Sequence, residues 1–354
     1  MARGFHELTV AEVRAETADA VSVLFDQAAE GEWAFRPGQY LTLRREIEGA
    51  EVRRSYSICS QPGEPLRVGI KRVEDGRFSS WACGALAPGE RVQVMPPEGR
   101  FGVEAGGAHD YLLVGAGSGV TPLLSIASAV LEAEPESRVT LVYGNRDGRS
   151  IMFHEALEDL RDRHLTRFRL IHVLSRETQD VPLLQGRIDG DRLRAMAAGG
   201  MIDPAASDAA FLCGPGEMID AASDVLAELG LAREAIHFER FTPAPDAAPP
   251  RPASDRARAA AEAGAEVTAI LDGGALRFPL AEGTVLEAAG AAGHELPFSC
   301  AGGMCCTCRC KVVEGEAEMD VNYSLEPWEV EQGFVLACQA RPTTKRLVLD
   351  FDAV

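Results

Sequence analysis

Along residues 1–106, apolar and polar side chains alternate in short runs, at Glu7–Arg14, Ala20–Phe25, Tyr40–Arg44, Leu66–Val73 and Arg91–Met95, broken by Pro-Gly turns. A period of two puts one face of each run inward and the other in water, and a series of such runs predicts a small antiparallel β-barrel. From residue 107 the pattern changes. Apolar strands at Tyr111–Val114, Arg138–Tyr143, Phe168–Leu174 and Ala210–Cys213 are interleaved with helical stretches at Thr121–Glu132 and Met152–Arg161. This alternation predicts an α/β domain over 107–241, a parallel sheet wrapped by helices with ligands at the carboxyl ends of its strands. A third pattern occupies 265–354: a strand and tight turn at Val267–Gly274, a short helix at Val285–Gly290 and a returning strand at Cys310–Glu316, an α+β arrangement.

Between the second and third patterns, residues 242–264 begin Thr-Pro-Ala-Pro-Asp-Ala-Ala-Pro-Pro-Arg-Pro and continue as an Ala/Arg/Glu tract. So much proline and so few large apolar groups predict a semi-rigid linker. The 354 residues are therefore expected to form a multidomain chain. No stretch reads as a signal peptide or as long enough to span a bilayer, which places the protein in the cytoplasm and off the membrane. There, nine cysteines argue for metal ligation and free thiols over disulfides. A net charge of −19 disfavours nucleic acid as a partner. From Glu266 onward there are 14 acidic and 6 basic side chains; this excess reads equally as a face that steers a basic redox partner and as a solvated surface.

Four cysteines, Cys300, Cys305, Cys308 and the distant Cys338, stand as C-x4-C-x2-C…C, the spacing by which four thiolates hold a plant-type 2Fe-2S cluster. Gly302 and Gly303 let the loop fold tightly, with backbone N–H groups turned toward sulfur. Such a cluster carries electrons singly. Structural zinc is the alternative occupant, although it usually takes two C-x2-4-C knuckles. Cys306 and Cys310 are read as packing residues, because the spaced four complete the set.

In the barrel, Arg54-Ser55-Tyr56-Ser57 follows a strand, and Gly76, Phe78, Ser79, Ser80 and the segment Pro97–Phe101 come later. Their chemistry fits a flavin dinucleotide: a guanidinium for pyrophosphate, the Tyr56 ring to stack on isoalloxazine, the Ser57 hydroxyl near N5, and N–H groups beside Ser79 for phosphate. Each also has an ordinary reading, Arg54 as a solvated strand charge and Tyr56 as a core aromatic. In the second domain, Gly115-Ala-Gly117-Ser118-Gly119-Val-Thr121-Pro122 follows an apolar strand and opens a helix. Phosphate belongs at such a start, with Thr121 expected to cap the helix. The spacing is not the G-x-G-x-x-G fingerprint. At another strand end, Cys213-Gly214-Pro215 is a turn able to bring a thiol near a nicotinamide ring, or mere turn chemistry.

NAD sites place an acid at the end of the second strand. Here that strand ends Tyr143-Gly-Asn-Arg146, and the next ends Ser175-Arg176-Glu177. Arg146, Ser175 and Arg176 suit a 2′-phosphate, so NADPH is expected, with NADH the alternative and a surface ion pair the ordinary role for Arg146.

Taken in order, R-x-Y-S, G-x-x-S, G-x-G-x-G-x-T-P and C-G-P resemble the ferredoxin-NADP reductase superfamily over residues 1–242, and the cysteine-bearing segment resembles the β-grasp-like plant-type ferredoxin domain. The resemblance implies a flavin held at Arg54, Tyr56, Ser57 and around Gly76 to Ser80, with nicotinamide presented between Thr121, Cys213 and the flavin. It makes Tyr56, Ser57 and Cys213 the candidate catalytic residues. Members of similar three-part design that use FMN tend to lack a Pro-x-Gly-x-Phe segment, so FAD is favoured. The order flavin, nucleotide, ferredoxin, together with Met319–Gln339, resembles the reductase components of phenylacetyl-CoA ring epoxidases. That implies an oxygenase partner in phenylacetate degradation, with the CoA ester handled by a separate di-iron component. Reductases of aromatic-ring dioxygenases and soluble monooxygenases share these modules, and a redox-sensing protein is the alternative of another class.

Overall fold

The computed structural model describes residues 4–241, 252–325 and 327–353, which belong to two compact units, one within 5–244 and the other within 245–354. In the larger unit, strands β1 (His6–Thr17), β2 (Ala20–Phe25), β3 (Tyr40–Ile47), β4 (Ala50–Ser57), β5 (Arg67–Lys71) and β6 (Arg91–Val94) form an antiparallel sheet in the order β4-β3-β6-β1-β2-β5. A bridge between Ile58 and Val68 joins its two edges. The alternating apolar positions, among them Val10, Val23, Phe25, Leu41, Leu43 and Ile70, fill the interior, as a half-buried strand requires. A helix, α1 (Arg77–Gly84), covers one end. Arg54–Ser57 lie inside β4 and not after it, paired with Leu43, Thr42, Leu41 and Tyr40. The strand is hard to read in sequence because its outward positions are charged or hydroxylated.

In the second half of this unit, β7 (Asp110–Ala116), β8 (Arg138–Asn145), β9 (Phe168–Leu174), β10 (Ala209–Gly214) and β11 (Ile236–Arg240) form a parallel sheet in the order β11-β10-β7-β8-β9. Helices α2 (Val120–Ala133), α3 (His154–Arg163), α4 (Gly190–Ala198) and α5 (Gly216–Glu228) complete it. Apolar cores lie on both faces, as a parallel sheet demands. One of them takes in Ala20, Cys59 and Phe101 of the barrel, and the Ser125 hydroxyl of α2 donates to the Ser60 carbonyl at 2.7 Å. The strand order reverses between β7 and β10, the place where open α/β sheets bind ligands.

In the smaller unit, β12 (Ala265–Leu271), β13 (Gly274–Leu280), β14 (Arg309–Glu314), β16 (Phe334–Leu336) and β18 (Arg346–Asp350) form a mixed sheet ordered β13-β12-β18-β14-β16, with a ribbon of β15 (Ala317–Met319) and β17 (Ala340–Pro342). Asp272 and Gly273, both at positive φ, make the tight β12–β13 turn. Helix α7 (Val285–Ala291) is capped by Thr284 and Glu287 in a capping box, and α8 (Pro327–Glu331) precedes β16.

The expected linker is corrected here. Residues 242–251, its Pro-rich half, lie outside the described residues, but Asp255–Glu262 forms a helix, α6, capped by the Ser254 side chain. Ala257 and Ala260 of α6 are buried, and the helix packs on β12 and β17. The two alanines lie one turn apart on the same face, and the helix is tied further by the Ser254 N–H to Glu318 and by the Arg256–Glu316 ion pair, signals that composition hides. Among the described residues, no helix is long and apolar enough to cross a membrane.

Candidate cofactor and cluster sites

Two loops meet at the carboxyl end of the parallel sheet. After β7, Gly117–Gly119 winds a 3-10 turn straight into α2, so the N-cap is Gly119 and not the expected Thr121. Thr121 already lies in the first turn, where its hydroxyl donates back to the Ser118 carbonyl at 2.9 Å. A Cβ on Gly119 would come 2.1 Å from the Cys213 carbonyl oxygen, so only glycine lets this loop press against the end of β10. Gly117 has φ +56, and its carbonyl accepts from the buried Tyr143 hydroxyl at 2.9 Å. Neither α2 nor α5, which starts after Pro215, carries a side-chain cap. By contrast, α4, α6 and α7 are capped by Asp189, Ser254 and Thr284. The Val120 N–H of α2 bonds back to the Gly117 and Ser118 carbonyls, so an anion there would meet the N–H groups of the preceding turn, as it would those at the uncapped start of α5.

Arg146 and Arg176 stand side by side: the Arg176 N–H donates to the Arg146 carbonyl at 2.7 Å, and that of Ser175 to Asn145 at 2.9 Å. The Arg146 guanidinium is turned to Asp19 of the barrel at 2.8 Å, so a phosphate there competes with a carboxylate. Arg176 is exposed.

On the barrel side, Tyr56 packs on Phe78 with ring centroids 5.6 Å apart, and Phe78 on Trp81 at 5.2 Å. Burial pushes the Tyr56 phenol well above its ordinary value. The start of α1 at Gly76 also lacks a side-chain cap. Its Ser79 hydroxyl instead donates to the Gly76 carbonyl and accepts from the Val73 N–H, each at 3.2 Å. That fixes the turn, leaving backbone N–H groups for phosphate; Ser80 lies exposed beside it, and Arg54 is exposed on β4. Phe101 packs edge-on against Phe211 of the nucleotide half at 5.5 Å.

Sequence reasoning missed Glu239. The Ser57 hydroxyl donates to its carboxylate at 3.2 Å, and Glu239 is the register partner of Cys213 across β10 and β11. Burial raises the Glu239 carboxyl to about 8, against the opposing pull of Ser57. Burial and the Glu239 charge push the Cys213 thiol up. The available signal was an acid at the end of a short strand, but β11 itself was unrecognised. The Ser57 hydroxyl thus meets Glu239, which stands beside the buried Cys213 in the β10–β11 register.

In the smaller unit, Cys300, Cys305, Cys308 and Cys338 converge as two thiol pairs, Cys300 with Cys305 and Cys308 with Cys338, in hydrogen-bonding contact. Sulfur is ringed by donors. The N–H groups of Gly302 and Met304 each reach Cys300 Sγ at 3.4 Å, and that of Cys300 reaches Cys305 Sγ at 3.4 Å. The Thr307 hydroxyl reaches Cys305 Sγ at 3.2 Å. Bonding to Cys305 and to these N–H groups favours the Cys300 thiolate. Among the described residues, no three His, Cys, Asp or Glu side chains surround one ion position. Two thiol pairs match the needs of two irons, each held by two thiolates. Cys306 donates instead to Ser324 Oγ at 3.1 Å, and Cys310 is buried within β14, facing the Val335 carbonyl at 3.7 Å.

Family models match in the same order as the structural parts: an oxidoreductase FAD-binding domain over 7–102, an oxidoreductase NAD-binding domain over 113–224, and a 2Fe-2S iron-sulfur cluster binding domain over 270–343. One component of the 1,2-phenylacetyl-CoA epoxidase of Escherichia coli K12 is 43% identical, with 99% of this chain and 98% of the relative aligned. The chain belongs to this family of oxygenase reductase components. The ferredoxin reductase component of the 3-ketosteroid-9-alpha-monooxygenase of Rhodococcus rhodochrous is a further member, 38% identical over 97% of this chain and 96% of the relative. Phthalate dioxygenase reductase shares the fold, with a TM-score of 0.58, 23% identity and 98% of both chains covered. Like its relatives, this reductase component is an oxidoreductase with FAD-binding, NAD-binding and 2Fe-2S domains.

Proposed function

We propose that this reductase component takes hydride from NADPH and feeds single electrons to the di-iron oxygenase of a phenylacetyl-CoA epoxidase. The observation that carries the reading is the full-length 43% identity to the E. coli epoxidase component. When bound, a flavin exchanges hydride with nicotinamide and single electrons with a 2Fe-2S cluster, which makes it the converter between a two-electron donor and a one-electron carrier. The residues divide the remaining work. Tyr56 and Phe78 supply an aromatic wall, the open starts of α1 and α2 bind phosphates, and Arg54 adds a cation. Gly119 and Cys213 hold two loops in contact so that the nicotinamide can be seated close to the barrel, where geometry does most of the work. Ser57 and Glu239 keep a protonatable pair at that edge. Arg176, with Ser175 and Arg146, reads the 2′-phosphate. Cys300, Cys305, Cys308 and Cys338 hold the cluster, and nine free cysteines suit a reducing cytoplasm. The boundaries proposed are 1–106 for flavin, 107–241 for nucleotide and about 252–354 for the cluster domain with α6.

The test is reconstitution with the oxygenase components of the E. coli epoxidase. NADPH-dependent epoxidation of phenylacetyl-CoA is expected; NADPH-driven reduction of ferricyanide with no epoxidation would overturn the assignment of partner. The 38% identity to the steroid monooxygenase component favours one second reading, a different oxygenase as acceptor, and exchanging the oxygenase in the same assay decides between them.

A further inference from the structure

The fourth cysteine lies thirty residues beyond Cys308, and one side chain ties it back to the cysteine loop. Gln339 is 6% exposed. Its amide nitrogen, Nε2, lies 3.4 Å from Cys338 Sγ and 3.2 Å from the Ala301 carbonyl oxygen. A primary amide carries two N–H groups, so both bonds can be made together. The residue has little freedom to turn away. Its N–H donates to the Leu336 carbonyl at 2.8 Å, its carbonyl accepts from Asp320 at 3.0 Å, and its Cγ sits 3.3 Å from the place a Cβ on Gly303 would fill. Ala301, the carbonyl it grips, is held at φ +50.

We propose that Gln339 sets the reduction potential of the cluster by donating one N–H to the Cys338 thiolate, while its other N–H clamps the cysteine loop to the fourth ligand. The inference rests on the four-cysteine reading of the cluster. One-electron reduction adds negative charge to the iron and its thiolates, with no bond made or broken. A donor aimed at sulfur therefore stabilises the reduced form more than the oxidised form and raises the potential. Burial strengthens the bond and keeps water from replacing it. Unlike the backbone N–H groups around Cys300, this donor can be removed by substitution.

The experiment is an EPR-monitored redox titration of the full-length holoprotein, with iron assay, for wild type, Gln339→Met and Gln339→Glu. Methionine keeps length and burial but donates nothing. Its cluster is expected to keep its rhombic signal and titrate at a more negative potential, and glutamate, which adds a charge, to move further the same way. An unchanged potential in loaded Q339M, or loss of iron in both variants with no shift in the loaded fraction, would overturn the potential-setting role and leave only a clamp. Wild-type protein without iron would instead defeat the cluster reading itself, so the two failures are distinguishable.

Discussion

Glu239, beside the proposed flavin edge, departs far from its ordinary state. A carboxyl raised to about 8 binds its proton more tightly in the fold than in the unfolded chain. The stability it contributes is complete below the unfolded value of about 4.3 and is lost as pH rises toward the folded value. Thermal midpoints of the wild type should therefore fall between about pH 5 and pH 8 more than those of E239Q, and parallel curves would remove the burial argument. Arg176→Ala should weaken NADPH binding about tenfold or more, from loss of a charge-assisted phosphate contact, with little effect on NADH. Equal losses measured by titration calorimetry would count against the 2′-phosphate reading. Cys305→Ser should abolish the cluster absorption while leaving flavin reduction by NADPH intact. Cys306→Ser should keep its iron, because the Cys306 thiol is engaged with Ser324.

At the scale of elements, the glycine loop is tightly constrained. Gly119→Ala drives a methyl into the Cys213 carbonyl, and overpacking of this kind costs about 1–3 kcal/mol. A lowered thermal midpoint together with weakened NADP+ binding is expected; an unaltered midpoint would show that the two loops are not pressed together. The long periodic elements, such as α2 and strands β7 to β9, were legible in sequence because burial on one or both faces stamps a period on the chain. Shorter or more polar ones were not. β4 is disguised by its arginines and serines, β11 has only five residues, and α6 relies on alanines. The same limit governs the sites. Cysteine spacing announces the cluster, whereas Glu239 becomes visible only when β10 and β11 are paired, and the Asp19 hold on Arg146 only when the barrel meets the nucleotide half.

Across the whole molecule, the division of labour follows from electron counting. A hydride donor and a one-electron acceptor need an intermediary able to deal with both, and the order of FAD-binding, NAD-binding and 2Fe-2S domains along the chain supplies all three parts. If the acidic excess from Glu266 onward steers a basic oxygenase surface, delivery should slow as salt is raised, while NADPH oxidation by the flavin half responds far less. Salt-insensitive delivery in stopped flow would make the acidity a matter of solubility alone. Whether four thiolates hold two irons that receive electrons one at a time from a paired donor is decided by anaerobic titration with NADPH, followed by EPR spin counting and iron and zinc assay. Two irons per chain and a rhombic signal that grows with NADPH and is absent in Cys305→Ser are predicted; a silent spectrum from protein carrying zinc would contradict that arrangement.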